Sequence, residues 1–184
     1  MNGSVRFQQD KVSTLSQPTP TADPAQFIAA MGQCATGVTV ITTDGSGGRF
    51  GVTVSAMTSV SAEPPMLLVC VNRSNLASKA IDLNGCFCVN VIETEQRPVA
   101  QVFAGQIKLE NADRFTCADW TPHTTGAPLL DNALASFDCE IAHQMDLGTH
   151  TVYVGKVVAV KSREGAPLAY SQRKFCGLQA LEGL

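Results

Sequence analysis

The sequence predicts a mainly β, single-domain protein with short helices, most simply a closed antiparallel barrel. Apolar residues fall in short alternating or continuous segments, with Gly, Pro, Asn and Asp clustered between them, the pattern of strands joined by turns. Helical signals are confined to three short stretches, too few for the strand–helix alternation of a parallel sheet. At 184 residues, with 45% hydrophobic and 16% charged side chains, the chain is long enough for one substantial core and too short for two domains to be the natural division.

Residues 1–24, with Pro18, Pro20 and Pro24 amid polar residues, have no apolar period and read as a flexible arm before a domain over 25–184. Asp23-Pro24 starts a helix whose apolar stripe is Phe27, Ile28 and Met31. VTVIT (38–42) alternates as a strand, and the glycine-rich 44–48 segment turns into the next. That cluster has neither GxGxxG nor GxxxxGK[ST] spacing and precedes a strand pattern, which excludes a nucleotide loop. Residues 51–60 read as one strand with Thr53, Ser55, Met57 and Ser59 on one face and Val52, Val54, Ala56 and Val60 on the other. Glu63-Pro64-Pro65 breaks it, and the apolar run 66–71 suits a strand buried on both faces.

Asn72-Arg73-Ser74-Asn75 follows, where Ser74 or Asn75 can cap a helix that stops near Asn84-Gly85. FCVNVI (87–92) is a strand carrying Asn90, which needs a partner if buried. Thr94 caps a third helix through Pro98, Val99, Val102 and Phe103, ending near Gly105. Residues 106–125 mix charges, the single Trp and turn residues, an irregular connection suited to covering a site or meeting a second subunit. ALASFDCEI (133–141) and THTVYVGKVVAV (149–160) are strands joined through Asp146-Leu147-Gly148. In the second, Val152, Val154, Lys156 and Val158 share a face, with Tyr153 and Val157 opposite.

A net charge of −3 and a pI near 5.5 give no basic footprint, which argues against nucleic acid or an anionic membrane surface as partner. No run approaches the roughly 20 apolar residues of a membrane span, and the first 25 residues lack a signal peptide's apolar centre. A cytoplasmic protein is expected. Seven cysteines without CxxC spacing read as buried thiols, and Cys86 and Cys88, which share a strand face, have none of the three histidines near them in sequence, which argues against a metal site. No GxSxG or HExxH motif is present, so no catalytic side chain is assigned.

A strand of small hydroxylated residues, a buried strand and an anion-ready helix start beside Arg73 together suit a planar, phosphate-bearing heterocycle. The same residues also suit an ordinary solvated strand face and a water-capped helix. Taken with GVTVITT, FCVNV, FAGQ, GTHTVYVG and PLAYSQRKF, the stretch 51–75 resembles the short-chain NAD(P)H:flavin oxidoreductases, most closely the reductase component of two-component 4-hydroxyphenylacetate 3-monooxygenases. The resemblance covers about residues 27–175. It implies a flavin-binding split barrel with flavin near a homodimer interface, FMN or FAD as cofactor, and a nicotinamide nucleotide as hydride donor, NADH being favoured over NADPH because no Arg or Lys cluster suits a 2′-phosphate. It further implies a separate aromatic monooxygenase that receives the reduced flavin.

By motif position the resemblance places Thr53, Ser55, Ala56, Met57 and Thr58 along the isoalloxazine, and Cys70, Val71 and Asn72 beside it. Ser74 and Asn75 fall at the ribityl chain and phosphate, and Phe103, Ala104 and Gly105 on the phosphate side. It places His150, of a Gly-x-His motif with Thr149 in the middle, beside the nicotinamide nucleotide, with Arg173 and Phe175 on the closing strand. Tyr170 is expected to pack. The alternatives are an FMN-retaining reductase of a ferric chelate or quinone, and a non-catalytic flavin-binding protein.

Overall fold

The computed structural model describes residues 20–110 and 114–181, so most of the expected arm lies outside the described residues. Among the described residues, helices α1 (Pro24–Met31), α2 (Leu76–Asn84) and α3 (Arg97–Phe103) accompany twelve strands. The strands are β1 (Thr36–Gly37), β2 (Thr39–Thr43), β3 (Phe50–Val54), β4 (Met57–Ala62), β5 (Pro65–Asn72), β6 (Cys86–Val91), β7 (Trp120–Pro122), β8 (Pro128–Leu130), β9 (Ala135–Leu147), β10 (His150–Ser162), β11 (Leu168–Ser171) and β12 (Lys174–Gly177). Seven form one antiparallel sheet in the order β3-β2-β6-β9-β10-β5-β4. Its two edge strands, β3 and β4, are consecutive in the chain and separated only by Ser55-Ala56. The sheet must therefore curl until its edges meet at a seam, and beside it the Cys70 N–H donates to the Ala56 carbonyl at 3.1 Å, extending the β4–β5 ladder to the corner. This is the split barrel expected from the resemblance.

The single strand expected over 51–60 is corrected by this seam. The chain turns a corner at Ser55-Ala56, alternation does not carry across, and Val60 is exposed instead of facing the core. Residues 66–71 are corrected as well. Leu67, Val69 and Val71 are buried while Met66, Leu68 and Cys70 are half-buried, so β5 covers one face only. A capping box of Glu93 and Gln96 starts the third helical segment, with a 3-10 turn before α3, while the Thr94 hydroxyl donates to the Ala166 carbonyl. Residues 106–125 hold more order than expected, since β7 pairs with β8.

Two apolar clusters form on opposite sides of the sheet, because neighbours on a strand point to opposite faces. Ile41, Val69, Phe87 and Tyr153 pack under α2, and Val40 and Leu130 pack with Val99 and Phe103 of α3. Asn90, with no exposed surface, finds its partners between them. Its amide donates to the Val40 carbonyl, and its carbonyl accepts from the Leu130 N–H and the Ser136 hydroxyl. It thereby fastens the β7–β8 hairpin to β2, β6 and β9. The stripe of α1 stays outside this packing: Phe27, Ile28 and Met31 are exposed.

Candidate functional site

The corner at Ser55 opens a groove of about 160 Å³. One wall is the end of β3, with Thr53 and Ser55, the second is the turn after α3, with Ala104 and Gln106, and the third is the β11–β12 hairpin, with Tyr170 and Phe175. Each wall is fixed by a local feature. The Thr53 hydroxyl donates to the Ala100 carbonyl at 2.7 Å, bolting α3 onto β3. Gly51 lets α3 come that close, because a Cβ there would lie 2.6 Å from Phe103 Cε1. Gly105, in the left-handed region at φ 72°, ends the helix and sends Gln106 to the groove. Tyr170 and Phe175 meet edge to face at 5.3 Å. Their hairpin turns on Gln172 and Arg173, both at positive φ, and the Gln172 N–H donates to the Gly32 carbonyl at 2.7 Å.

A second group of polar residues lies where β5 ends. The register sets His150 opposite Asn72. Asn72 Oδ1 accepts from the Ser74 N–H at 2.9 Å and its hydroxyl at 2.8 Å, and the Asn75 side chain caps α2 through the Ala77 N–H. Thr149 Oγ1 and His150 Nδ1 are 2.8 Å apart. Arg73 is tied to the same β9–β10 hairpin twice, its N–H donating to the Thr149 carbonyl and its guanidinium pairing with Asp146 at 3.2 Å. The Cys70–Ala56 bond sets this group close to the corner, because Ala56 follows Ser55 of the groove wall and Asn72 lies two residues along β5 from Cys70.

Of the residues singled out in the sequence, Thr53, Ser55, Ala104 and Phe175 come together in the groove. Ala56, Met57 and Thr58 lie at or just past the corner. Asn72, Ser74, Asn75 and His150 gather at the second group. Two side chains turn inward, away from the groove. Phe103 is 2% exposed and turns into the core against Phe115 and Trp120, and Val71 is fully buried. Arg173 stands exposed at the hairpin tip. Phe175 joins the wall opposite Thr53 and not the His150 group. Sequence reasoning missed Val38, Val54 and Gln106 as lining residues and kept Tyr170 for packing alone, whereas it both packs on Phe175 and faces the groove. The signal for Gln106 was its place in FAGQ, directly after the helix stop.

Burial raises the pKa of the Cys70 thiol, and burial, then the nearby Asp138 carboxylate, pushes Cys139 up to about 12. These thiols stay protonated at neutral pH and are poor nucleophiles. Among the described residues no group of His, Cys, Asp and Glu has the makings of a metal site. The groove instead offers small side chains on two walls, hydroxyls at one edge and aromatic rings opposite, which fits a flat heterocycle approached closely by backbone. Barrel and groove together are those of a split barrel with a site for a small flat ligand.

The particular family follows from comparison with known proteins. The chain belongs to the flavin reductase like domain family, which matches residues 31–179. It is 41% identical over 175 residues to the FMN reductase (NADH) RutF of Stutzerimonas stutzeri strain A1501, covering 95% of this chain and 99% of that protein. The solved structure of the NADH:FAD oxidoreductase SgcE6 of Streptomyces globisporus C-1027 superposes with a TM-score of 0.78 at 31% identity, covering 89% of this chain and 100% of that one. BorF, the flavin reductase component of a bacterial two-component tryptophan halogenase, also gives a TM-score of 0.78 at 31% identity, over 86% of this chain and 100% of its own.

Proposed function

We propose that this chain is a cytoplasmic, homodimeric NADH-dependent FMN reductase that releases reduced flavin to a separate aromatic monooxygenase. The observation that carries the reading is the groove at the barrel corner, where Thr53, Ser55, Ala104, Gln106, Tyr170 and Phe175 line a space of about 160 Å³. Bound there, the flavin supplies the redox chemistry itself by accepting hydride at N5.

The protein's part is to bind, orient and exclude water. Ser55 and the backbone of Ala56 and Met57 meet the polar edge of the ring, Tyr170 and Phe175 flank it, and Gln106 offers an amide at the rim. Arg73 and Ser74, at the start of α2, would hold the flavin's phosphate, where free N–H groups and the helix dipole favour negative charge. His150, exposed on the hairpin beside Asn72, positions the nicotinamide nucleotide. The polar groups at the α2 start are mostly neutral, and the groove holds no charged side chain, consistent with binding weak enough for release.

The second copy is supported by the outer face of the sheet. Cross-strand pairing sets Met145, Val152 and Cys70 in one row and Val154 and Leu68 in the next, and Met145 is 58% exposed. A face of half-exposed apolar residues on paired strands is suited to a like face. Solved structures titled as component B of a nitrilotriacetate monooxygenase and as the flavin reductase component of a two-component halogenase support a separate downstream enzyme, and an aromatic substrate for it follows from the resemblance to hydroxyphenylacetate-type reductases.

The test is NADH oxidation by flavin-stripped protein with and without added FMN, FAD and riboflavin. Turnover that requires added flavin and saturates with it supports the proposal. FMN binding without oxidation would return the chain to the flavin-binding alternative, and stoichiometric flavin retained through turnover would favour the FMN-retaining reductase.

A further inference from the structure

We infer that Asp146 competes with the flavin's phosphate for Arg73 and so holds FMN affinity low enough for exchange. The inference rests on the placement of the phosphate at the start of α2 proposed above. Arg73 is the cation next to that helix start, one residue before Ser74 and two before the Asn75 cap. Its guanidinium Nη2 lies 3.2 Å from Asp146 Oδ2, with both side chains about half exposed. The carboxylate is held in place, because its other oxygen, Oδ1, accepts from the Thr151 hydroxyl at 2.6 Å. Thr151 in turn pairs directly with Asp146 across β9–β10 and with Val71 across β10–β5. Three adjacent strands therefore fix the distance between the anion and the root of the arginine.

An arginine with a preplaced carboxylate cannot give its full charge to a ligand phosphate without leaving that partner. Phosphate and carboxylate present the same kind of acceptor to the guanidinium fork, so the two anions exchange for one another. The pair is exposed, and exposed ion pairs are worth about 0.2–1 kcal/mol, which corresponds to about 1.4- to 5-fold in a dissociation constant. That size suits a ligand that must bind and leave in each turnover. It leaves riboflavin, which has no phosphate, unaffected.

The test measures FMN and riboflavin dissociation constants by fluorescence quenching for the native protein, Asp146→Asn, Arg73→Gln and the double variant. Asp146→Asn keeps an oxygen for the Thr151 hydroxyl and removes only the charge, and riboflavin binding serves as the control for an intact fold. The expected result has three parts. Asp146→Asn tightens FMN by about two- to five-fold with riboflavin unchanged, Arg73→Gln weakens FMN alone, and the double variant matches Arg73→Gln. If Arg73→Gln weakens FMN selectively but Asp146→Asn does not tighten it, competition is refuted while the phosphate placement stands. If Asp146→Asn tightens FMN equally in the Arg73→Gln background, Asp146 acts as a distant charge and the competition is likewise refuted. If Arg73→Gln affects FMN and riboflavin alike, the phosphate is not at Arg73 and the inference falls with its premise.

Discussion

Gly51→Ala should damage both the fold and the flavin groove, because one missing Cβ sets how closely α3 sits on β3. A methyl there would lie 2.6 Å from Phe103 Cε1, 2.8 Å from Cδ1 and 3.2 Å from the Ile41 carbonyl oxygen. Phe103 cannot swing aside freely, since it packs edge to face on Phe115 at 5.1 Å and Trp120 at 5.4 Å. Overpacking of this kind costs about 1–3 kcal/mol, which in a domain of this size lowers the melting temperature by about 2–4 °C per kcal/mol. Moving α3 also strains the Thr53–Ala100 bond and displaces Ala104 and Gln106, so FMN should bind more weakly. Melting and FMN titration of Gly51→Ala, Phe103→Leu and the double variant check the reasoning. Losing the ring edge relieves the clash, so the double variant should be more stable than the sum of the singles by about 1 kcal/mol or more. Strict additivity, or a Gly51→Ala protein that melts and binds FMN like the native one, would refute it.

Other consequences are as direct. Asp138 is 1% exposed and accepts from the Thr125 N–H and hydroxyl, with His123 Nδ1 at 3.3 Å. Asp138→Asn should cost about 2–3 kcal/mol, read as a lower melting temperature. The Tyr153 hydroxyl, bonded to Ser78 and Asp82, is pushed up to about 12, mainly by burial. The folded state therefore holds this proton more tightly than unfolded tyrosine at about 10. The resulting stability is complete below pH 10 and lost as pH rises toward 12. Tyr153→Phe should flatten that alkaline loss, with a residual slope from the buried thiols Cys88 and Cys139, and an unchanged slope would contradict the assignment. His150→Ala should raise the KM for NADH with kcat little changed, because the side chain is exposed beside Asn72. A loss confined to kcat would place the histidine at the reacting atoms instead.

Much of this molecule was legible in its sequence where local chemistry decides the structure. Asp23-Pro24, Asn75 and Asn84-Gly85 mark helix ends that the structure keeps, and the 44–48 turn is held by Asn84 through the Gly47 N–H and Gly48 carbonyl. What escaped was decided at long range. No glycine or proline marks the Ser55-Ala56 corner, because the corner exists only where two edges of a curled sheet meet. Phe103 sits in a motif tied to the ligand, yet its ring completes an aromatic cluster with residues 12 and 17 positions later in the chain. Gln106 and Tyr170 reach the groove from segments that only the fold brings together.

The most direct test fills the groove. Ala104 is exposed and lines it, so Ala104→Trp should occupy the ring's place while leaving the core intact. The account predicts a protein that melts like the native one but has lost FMN quenching and FMN-dependent NADH oxidation together. Unchanged FMN affinity in that variant would mean that the flavin binds elsewhere, and the central claim would be wrong.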